Sequence, residues 1–448
     1  MRKKRVLVVG GTGYLGQHVL QGFSEIQATT PCDLAFTHHS NPPPPALLTI
    51  FPHLLPFHVD LKTGQGFQAI SQTFGPPDVV INCAALSVPR ACEMDPAAAM
   101  SVNVPSSLVN WLLSLEETNS LLIHLSTDQV YEGVKSFYKE DNETVPVNVY
   151  GKSKVAAEQF ISEKCSNFAI LRSSIIFGPQ TVSPVPKSLP IQWIDGVLSK
   201  GNTSEFFHDE FRCPVYVKDV LAAILALSKR WISDGKQTKL LLNVGGPDRV
   251  SRLQMAETVA DIRGYNPSLI KSVSASSVDR GVKSPADISM DITKLVQTLG
   301  VTPTSFRDGV RLTLSTELFG PSENQNIWAS TASRNLGQSE TLYLPMYSSK
   351  RRPIQLHSFS EHPNAALCPL QLNQLYNAPQ FAEKERRVLT IEHGRRPKHW
   401  KRNTAIAMAG IFLVCIPIAM KSAELEVCQL VIERVLLCNV SGRLGKIE

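Results

Sequence analysis

Tyr150 and Lys154 stand four residues apart in a stretch with helical character, so both side chains project from one helix face about a turn from each other. Thr127, within Ser126-Thr127-Asp128, falls just beyond a predicted strand, where strand-end residues of an α/β layout converge on a ligand crevice. Reduction of a carbonyl by hydride creates an alkoxide that needs a proton. Tyr150 could donate it, Lys154 could lower the tyrosine pKa and hold a nicotinamide ribose, and Thr127 could bind the carbonyl oxygen. A YxxxK pair alone is common and usually lies on a surface. The chemical reading gains its force from Gly10-Gly11-Thr12-Gly13-Tyr14-Leu15-Gly16, with glycine at the first, fourth and seventh positions. That loop follows Val6 to Val9 and precedes a plausible helix, the context in which such a spacing cradles a dinucleotide. Gly10 permits the sharp turn, Gly13 lets backbone N–H groups approach a pyrophosphate, and Gly16 permits close packing of helix on strand.

The elements that must position these groups follow a β-α order. Val6 to Val9 reads as a strand and Leu15 to Phe23 as the next helix; Leu34 to Thr37 reads as a second strand. The proline run Pro42 to Pro45 should then break regular structure and leave a long loop. His58-Val59-Asp60 reads as the end of a further strand, Phe67 to Phe74 as a helix, and Asp78 to Ile81 and Leu121 to Leu125 as strands. A helix is expected over Tyr150 to Ile161, a strand over Phe168 to Ile175, and helices over Val217 to Ser228 and Leu253 to Asp261. The predicted fold class is therefore α/β, a Rossmann-type doubly wound parallel sheet. It occupies residues 1–320, with a smaller substrate lobe mainly within 177–300 and a poorly structured C-terminal extension. Residues 321–400 carry scattered prolines, serines and basic clusters without a sustained period and read as a disordered linker. Residues 401–448 form an apolar and amphipathic tail. Its run Ala405 to Met420 falls short of the about 20 residues that a membrane span wants, so a buried helix or loose tail is preferred over membrane contact through 405–420.

Composition sets outer limits. A chain of 448 residues with 43% hydrophobic content can bury a substantial core. The net charge of +6 is small beside 45 basic and 39 acidic residues, and its excess gathers at the start and in the tail, so nucleic acid is not an expected partner. Nine cysteines occur without a CxxC, no His/Cys group has zinc-ligand spacing, and no metal is expected. Reduced thiols and an opening without an apolar leader point to the cytoplasm.

The GxxGxxG spacing resembles the loop of extended short-chain dehydrogenases. Asp60-Leu61 is similar to that family's adenine-side carboxylate position, and Asn82-Cys83-Ala84-Ala85 to its NxAA segment, where small residues admit the cofactor. By itself Asp60 reads as a cap or turn residue. At the end of the second strand, Ala35-Phe36-Thr37-His38-His39-Ser40 has no carboxylate to hold an adenosine ribose diol or repel a 2′-phosphate, so NADP(H) is favoured over NAD(H). Any pull of His38 or His39 on that phosphate would depend on pH; ordinary exposed loop histidines are the alternative. More narrowly, His124-Leu-Ser-Thr-Asp-Gln-Val-Tyr-Glu-Gly133 and Tyr150-Gly-Lys-Ser-Lys154 resemble the dTDP-4-dehydrorhamnose reductase (RmlD-like) family and, equally, the related regulatory beta subunit of methionine adenosyltransferase. The likeness runs over about residues 4 to 319 and includes Phe211 to Asp219 and Arg280 through Asp291, with Asp219 expected to cap a helix. The resemblance implies a Thr127, Tyr150 and Lys154 triad. It also implies cofactor contacts from Gly10, Thr12, Gly13, Tyr14, Leu15, Gly16, His38, His39, Asp60, Leu61, Asn82, Ala84, Ala85, Asn103, Tyr150 and Lys154. Arg90 and Arg212 are the expected substrate residues, while Arg172, Lys187 and Gln192 are further basic or amide groups that a sugar diphosphate could use, with simple capping of the strand region as the alternative for Arg172. The first implied function is NADPH-dependent reduction of a nucleotide-linked 4-keto-6-deoxysugar. The second is an NADP-binding regulatory subunit docked on a methionine adenosyltransferase catalytic subunit in S-adenosylmethionine synthesis. A homodimer stays open in either case.

Overall fold

The computed structural model describes residues 3–40, 42–115 and 119–315; the expectations for 321–400 and 401–448, including Ala405 to Met420, lie outside the described residues. Seven strands form one parallel sheet: β1 (Lys4–Val9), β2 (Cys32–His38), β3 (Leu55–His58), β4 (Val79–Asn82), β5 (Leu121–Thr127), β6 (Phe168–Ser173) and β7 (Lys239–Val244). Their order across the sheet is β3-β2-β1-β4-β5-β6-β7. Every neighbouring pair is parallel.

The apolar runs explain why both faces are covered. In β1, Val6 and Val8 enter one core while Leu7 and Val9 enter the other, so the unbroken Val-Leu-Val-Val stretch is buried on both sides. The first face packs Leu15, Val19 and Leu20 of the helix Tyr14–Glu25 and Val220, Leu221 and Ile224 of the helix Val217–Asp234. The second packs Phe67 and Ile70, Leu108 and Val109, and Ile161 of the helix Val149–Lys164. Strand order reverses between β1 and β4, which opens a crevice at the C-terminal strand ends. A separate core joins Phe177, Ile191, Phe206, Tyr216, Met255 and Val259 to Phe306 and Val310, drawing on the helices Pro190–Leu198, Arg252–Arg263 and Phe306–Ser315. Among the described residues no helix is long and apolar enough to cross a membrane.

Three local expectations change. The proline run does not leave only loop: Pro45 begins a short helix to Ile50, because a proline at the first helical position forfeits no intrahelical hydrogen bond. The third strand ends at His58, and Asp60 lies in the turn beyond it. Asp219 is not the cap of its own helix, whose N-cap is Tyr216; its carboxylate instead accepts from the Thr304 N–H (2.8 Å) and hydroxyl (3.1 Å), tying the segment before Phe306 to the sheet-covering helix.

Candidate active site

The glycine loop is built for close approach. Gly10 has φ +78°, in the left-handed region, and a Cβ there would lie 2.9 Å from the Ala84 backbone. A Cβ on Gly16 would strike the Gly10 carbonyl oxygen, so helix and loop meet only because that side chain is a hydrogen. Thr37 fixes the loop from the side, its hydroxyl accepting from Gly10 N–H at 3.0 Å and its carbonyl from Gly11 N–H at 2.9 Å. The helix starting at Tyr14 has Gly13 as N-cap, no side-chain capping bond and no acidic residue in its first turn. Its first N–H groups and the positive end of its dipole are thus available to an anion. Thr12 is half-buried and Gly13 exposed, whereas the Tyr14 hydroxyl donates to Pro179 O at 3.1 Å and Leu15 turns into the core; both act here through the backbone. The residues fit a dinucleotide pyrophosphate.

At the next strand ends, His38 and His39 flank His58, and His39 Nε2 lies 3.9 Å from Asp60 Oδ1. The Asp60 carboxylate is held by its own turn, accepting from Lys62 N–H at 2.8 Å and the Thr63 hydroxyl at 3.0 Å, and these bonds keep it below the usual carboxylate range. Leu61 packs on the second core, and its carbonyl accepts from the Ser107 hydroxyl. Asn82 bridges β4 to β5: its amide donates to His124 Nδ1 at 3.1 Å, and its oxygen accepts from Ala84 N–H at 3.2 Å. Ala84 and Ala85 are half-buried along the following segment. Asn103 spends its side chain on that segment, bonding both the N–H (2.8 Å) and O (3.0 Å) of Leu86, and donates to Ser153 at 2.9 Å. It joins the loop to the Tyr150 helix.

Thr127, Tyr150 and Lys154 are brought together from two elements. Thr127 is the last residue of β5, and Tyr150 and Lys154 lie on the helix capped by Asn148, whose side chain accepts from Gly151 N–H. Tyr150 is buried; burial drives its pKa well above the usual tyrosine value, a hydrogen bond with Thr127 opposes that rise, and Asp128 and Cys92 add to it. Lys154, 2% exposed, donates to the Leu125 carbonyl at 2.7 Å. Burial brings its pKa down to about 8, against the pull of Glu158, Cys83 and Cys92. His124 is also buried and held neutral, by burial first and by Lys154 second. Because the Asn82 amide donates to Nδ1, the His124 proton sits on Nε2, where it has no partner among the described residues.

Two groups escaped the sequence reading. Asp128 is buried, accepts from Thr127 (3.2 Å) and Ser174 (2.9 Å), and has its pKa raised by burial against the opposing charge of Arg212. Glu158 sits one turn beyond Lys154, accepts from Ser126 at 2.5 Å and pairs with buried Arg172 at 2.7 Å. Arg172 is thereby committed to the core, also donating to Tyr131 at 3.0 Å, and is no substrate residue. The Asp128 position was legible as part of Ser-Thr-Asp, whereas Glu158 gave only an i, i+4 spacing to Lys154.

Gln129, whose N–H donates to the Thr127 hydroxyl at 3.2 Å, lines a cavity of about 570 Å³ together with Asp279 and the cations Arg90, Arg212, Arg252, Arg280 and Lys283. The two expected substrate arginines therefore share one chamber. Arg212 is 2% exposed and donates to the carbonyls of Phe211, Ala286 and Pro285, so it holds the wall together as well as charging it. Glu210 faces Arg280 at 2.5 Å and Arg252 at 3.8 Å, leaving the cation set in excess. Arg280 also lies over the Phe207 ring, whereas Phe206 is core. Lys187 reaches Ser87 at 3.0 Å, and Gln192 donates to Gly178 O at 2.9 Å.

Among curated proteins, methionine adenosyltransferase 2 subunit beta of Danio rerio is 27% identical over 311 residues, covering 69% of this chain and 89% of that protein. A probable low-salt glycan biosynthesis reductase of Haloferax volcanii is 27% identical over 234 residues, covering 52% and 75%. The solved dTDP-4-dehydrorhamnose reductase of Bacillus anthracis in complex with NADP superposes with a TM-score of 0.56 at 19% identity, covering 70% of this chain and 100% of that one. UDP-glucose 4-epimerase of Thermotoga maritima with UDP-glucose gives 0.59 at 21% identity, over 69% and 97%. These two likenesses show the fold. The model of the RmlD substrate binding domain family matches residues 4–318, and with the glycine loop, the parallel sheet and the Thr127, Tyr150 and Lys154 cluster already in place, the chain belongs to that family.

Proposed function

We propose that this chain is an NAD(P)H-dependent reductase, with NADPH preferred, acting on the keto group of a nucleotide-linked 4-keto-6-deoxysugar. The observation that carries this reading is the meeting of Thr127, Tyr150 and Lys154 at the end of β5, beside a cavity rich in arginine. A reduced nicotinamide bound in the crevice would supply the hydride. The uncapped helix at Gly13 would hold the pyrophosphate through backbone N–H groups, and Gly10, Ala84 and Ala85 would leave room for the dinucleotide. Thr127 would orient the substrate carbonyl oxygen. Tyr150, kept protonated by burial, would donate its proton to that oxygen as negative charge develops. Protonated Lys154 would swing from Leu125 O toward the ribose and favour the tyrosinate left behind. The cavity cations suit a diphosphate, with Arg90 on its exposed rim and Arg212 in its wall.

A second reading draws on the relatives named methionine adenosyltransferase 2 subunit beta, matched over 87–89% of their length in zebrafish and mouse. In it the same crevice holds a dinucleotide while the chain docks on a methionine adenosyltransferase catalytic subunit. One experiment separates the two. Purified protein is followed at the NADPH absorbance with dTDP-4-keto-6-deoxysugars, alongside Tyr150→Phe and a pull-down with methionine adenosyltransferase. Turnover abolished in Tyr150→Phe supports the reductase. Dinucleotide binding without turnover, together with co-purification of the adenosyltransferase, overturns it in favour of the second reading.

A further inference from the structure

Residues 178–189 form a strap without regular structure between the short strand Ile176–Phe177 and the helix Pro190–Leu198. Three side chains on one face of the helix Tyr14–Glu25, at i, i+3 and i+4, hold its first half. Tyr14 donates to Pro179 O at 3.1 Å, and His18 Nε2 lies 3.3 Å from the same oxygen, so that nitrogen carries the ring proton. Gln17, 2% exposed, uses both ends of its amide. Its nitrogen donates to Ser183 O at 2.9 Å and to Thr12 O at 3.1 Å, and its oxygen accepts from Ser183 N–H at 3.1 Å. The second half of the strap reaches the opposite lip of the crevice, where Lys187 donates to the Ser87 hydroxyl at 3.0 Å, two residues beyond the Asn82 to Ala85 segment. The strap therefore runs from the loop after β1 to the segment after β4, the two strands between which the sheet order reverses.

The reaction scheme uses none of these contacts. A side chain that only filled the space between helix and strap could be apolar; Gln17 instead spends its buried donors and acceptor on the glycine loop and the strap together. Thr12 O belongs to the planar peptide whose N–H, on Gly13, donates to Gly10 O at 3.1 Å, so holding that carbonyl sets the central peptide of the loop. Resting on the dinucleotide reading above, we propose that Gln17 is a positioning residue that couples the glycine loop to the strap, so that a pyrophosphate bound in the loop fastens residues 178–189 over the crevice. The anion fixes the peptide planes of the loop, the Thr12 carbonyl is fixed with them, and Gln17 then holds Ser183 at both its N–H and its oxygen. Gln192, donating to Gly178 O at 2.9 Å, carries the same order to the helix Pro190–Leu198 and the separate core.

The test reads the strap by proteolysis and requires no substrate. Trypsin cleaves after basic residues, and Lys187, which is exposed, is the one such residue within 178–189. Cleavage between Lys187 and Ser188 in the full-length protein is followed by mass spectrometry in wild type, Gln17→Leu, Gln17→Glu and Ser87→Ala. Each is cleaved without NADPH and with it at about thirty times that protein's own dissociation constant, measured by fluorescence titration. In the wild type NADPH should slow cleavage about tenfold or more, because the cleavable state must give up the bound nucleotide. Both Gln17 variants should still bind NADPH, yet their protection should fall below about twofold, whereas loss of packing alone would speed cleavage equally with and without nucleotide. Gln17→Glu keeps the bond from Ser183 N–H but can donate to neither carbonyl, so it tests the same coupling with the side-chain length preserved. Ser87→Ala should be cleaved faster than wild type without NADPH and be protected by it. Wild-type cleavage unchanged by bound NADPH, or undiminished protection in either Gln17 variant, overturns the coupling and leaves dinucleotide binding standing. Ser87→Ala cleaved at the wild-type rate without nucleotide overturns closure across the crevice. No binding of NADPH to the wild type overturns the dinucleotide reading and this inference with it.

Discussion

Lys154 offers the most direct route to testing the chemistry, because burial has shifted its charge change into an accessible range. Its displacement from 10.5 to about 8 corresponds to about 3 kcal/mol of penalty for carrying the charge inside the fold. The folded pKa lies below the unfolded one, so the unfolded chain binds more protons between about pH 8 and 10.5. The penalty is therefore fully present below pH 8 and is relieved as pH rises through that window. If reduction requires protonated Lys154, kcat/KM should be level from pH 6.5 to 7.5. It should then fall about thirtyfold by pH 9.5, where about one lysine in thirty remains charged. The fall cannot belong to Tyr150, whose proton is held to much higher pH by burial. The assay is NADPH oxidation with a dTDP-4-keto-6-deoxysugar, run with Lys154→Met. Thermal unfolding gives a second measure: the wild type should gain roughly 5 °C relative to Lys154→Met between pH 8 and 10.5 for a core of this size. A profile level to pH 9.5, or an alkaline limb with the same midpoint in Lys154→Met, would refute the assignment. A stability difference independent of pH would refute the buried-charge argument beneath it.

Gly16→Ala should force the helix off the Gly10 carbonyl at a cost of about 1–3 kcal/mol, read as a lower melting temperature and as dinucleotide affinity reduced about five- to a hundredfold by fluorescence titration. Glu158→Gln should leave Arg172 buried without its counter-ion and lose about 3–5 kcal/mol in urea unfolding; a loss below 1 kcal/mol would show that the Ser126, Glu158 and Arg172 network does not secure the Tyr150 helix. Ser251→Ala removes the capping box of the helix Arg252–Arg263, which packs in the separate core around Phe177 and Phe306, so it should lower stability by about 1 kcal/mol in the same assay while leaving NADPH titration unchanged.

Much of the architecture was legible because it is local. Val6 to Val9, Leu121 to Ile123 and Phe168 to Leu171 are apolar without alternation, as suits a strand covered on both faces, and the cores divide their side chains accordingly. The glycine spacing was legible for the same reason: each glycine answers to a contact within its own loop or the adjoining strands. Pro45 misled, since a proline run reads as a breaker until its position relative to a helix start is known. Asp219 misled because its partner, Thr304, is distant in sequence.

The sequence alone determined a parallel α/β fold and the glycine loop that follows its first strand, and it singled out Thr127, Tyr150 and Lys154 as a group. Periodicity and fixed spacings encode what the chain does within a few residues of itself. Tertiary structure alone decided that Arg172 is a core ion pair and not a substrate group, and that Arg90, Arg212, Arg252, Arg280 and Lys283 share one chamber. It also decided that His58 joins His38 and His39 beside Asp60. The physical reason is common to all three: charge and burial are properties of neighbours, and these neighbours are gathered from separate strands, helices and loops by the packing of the sheet.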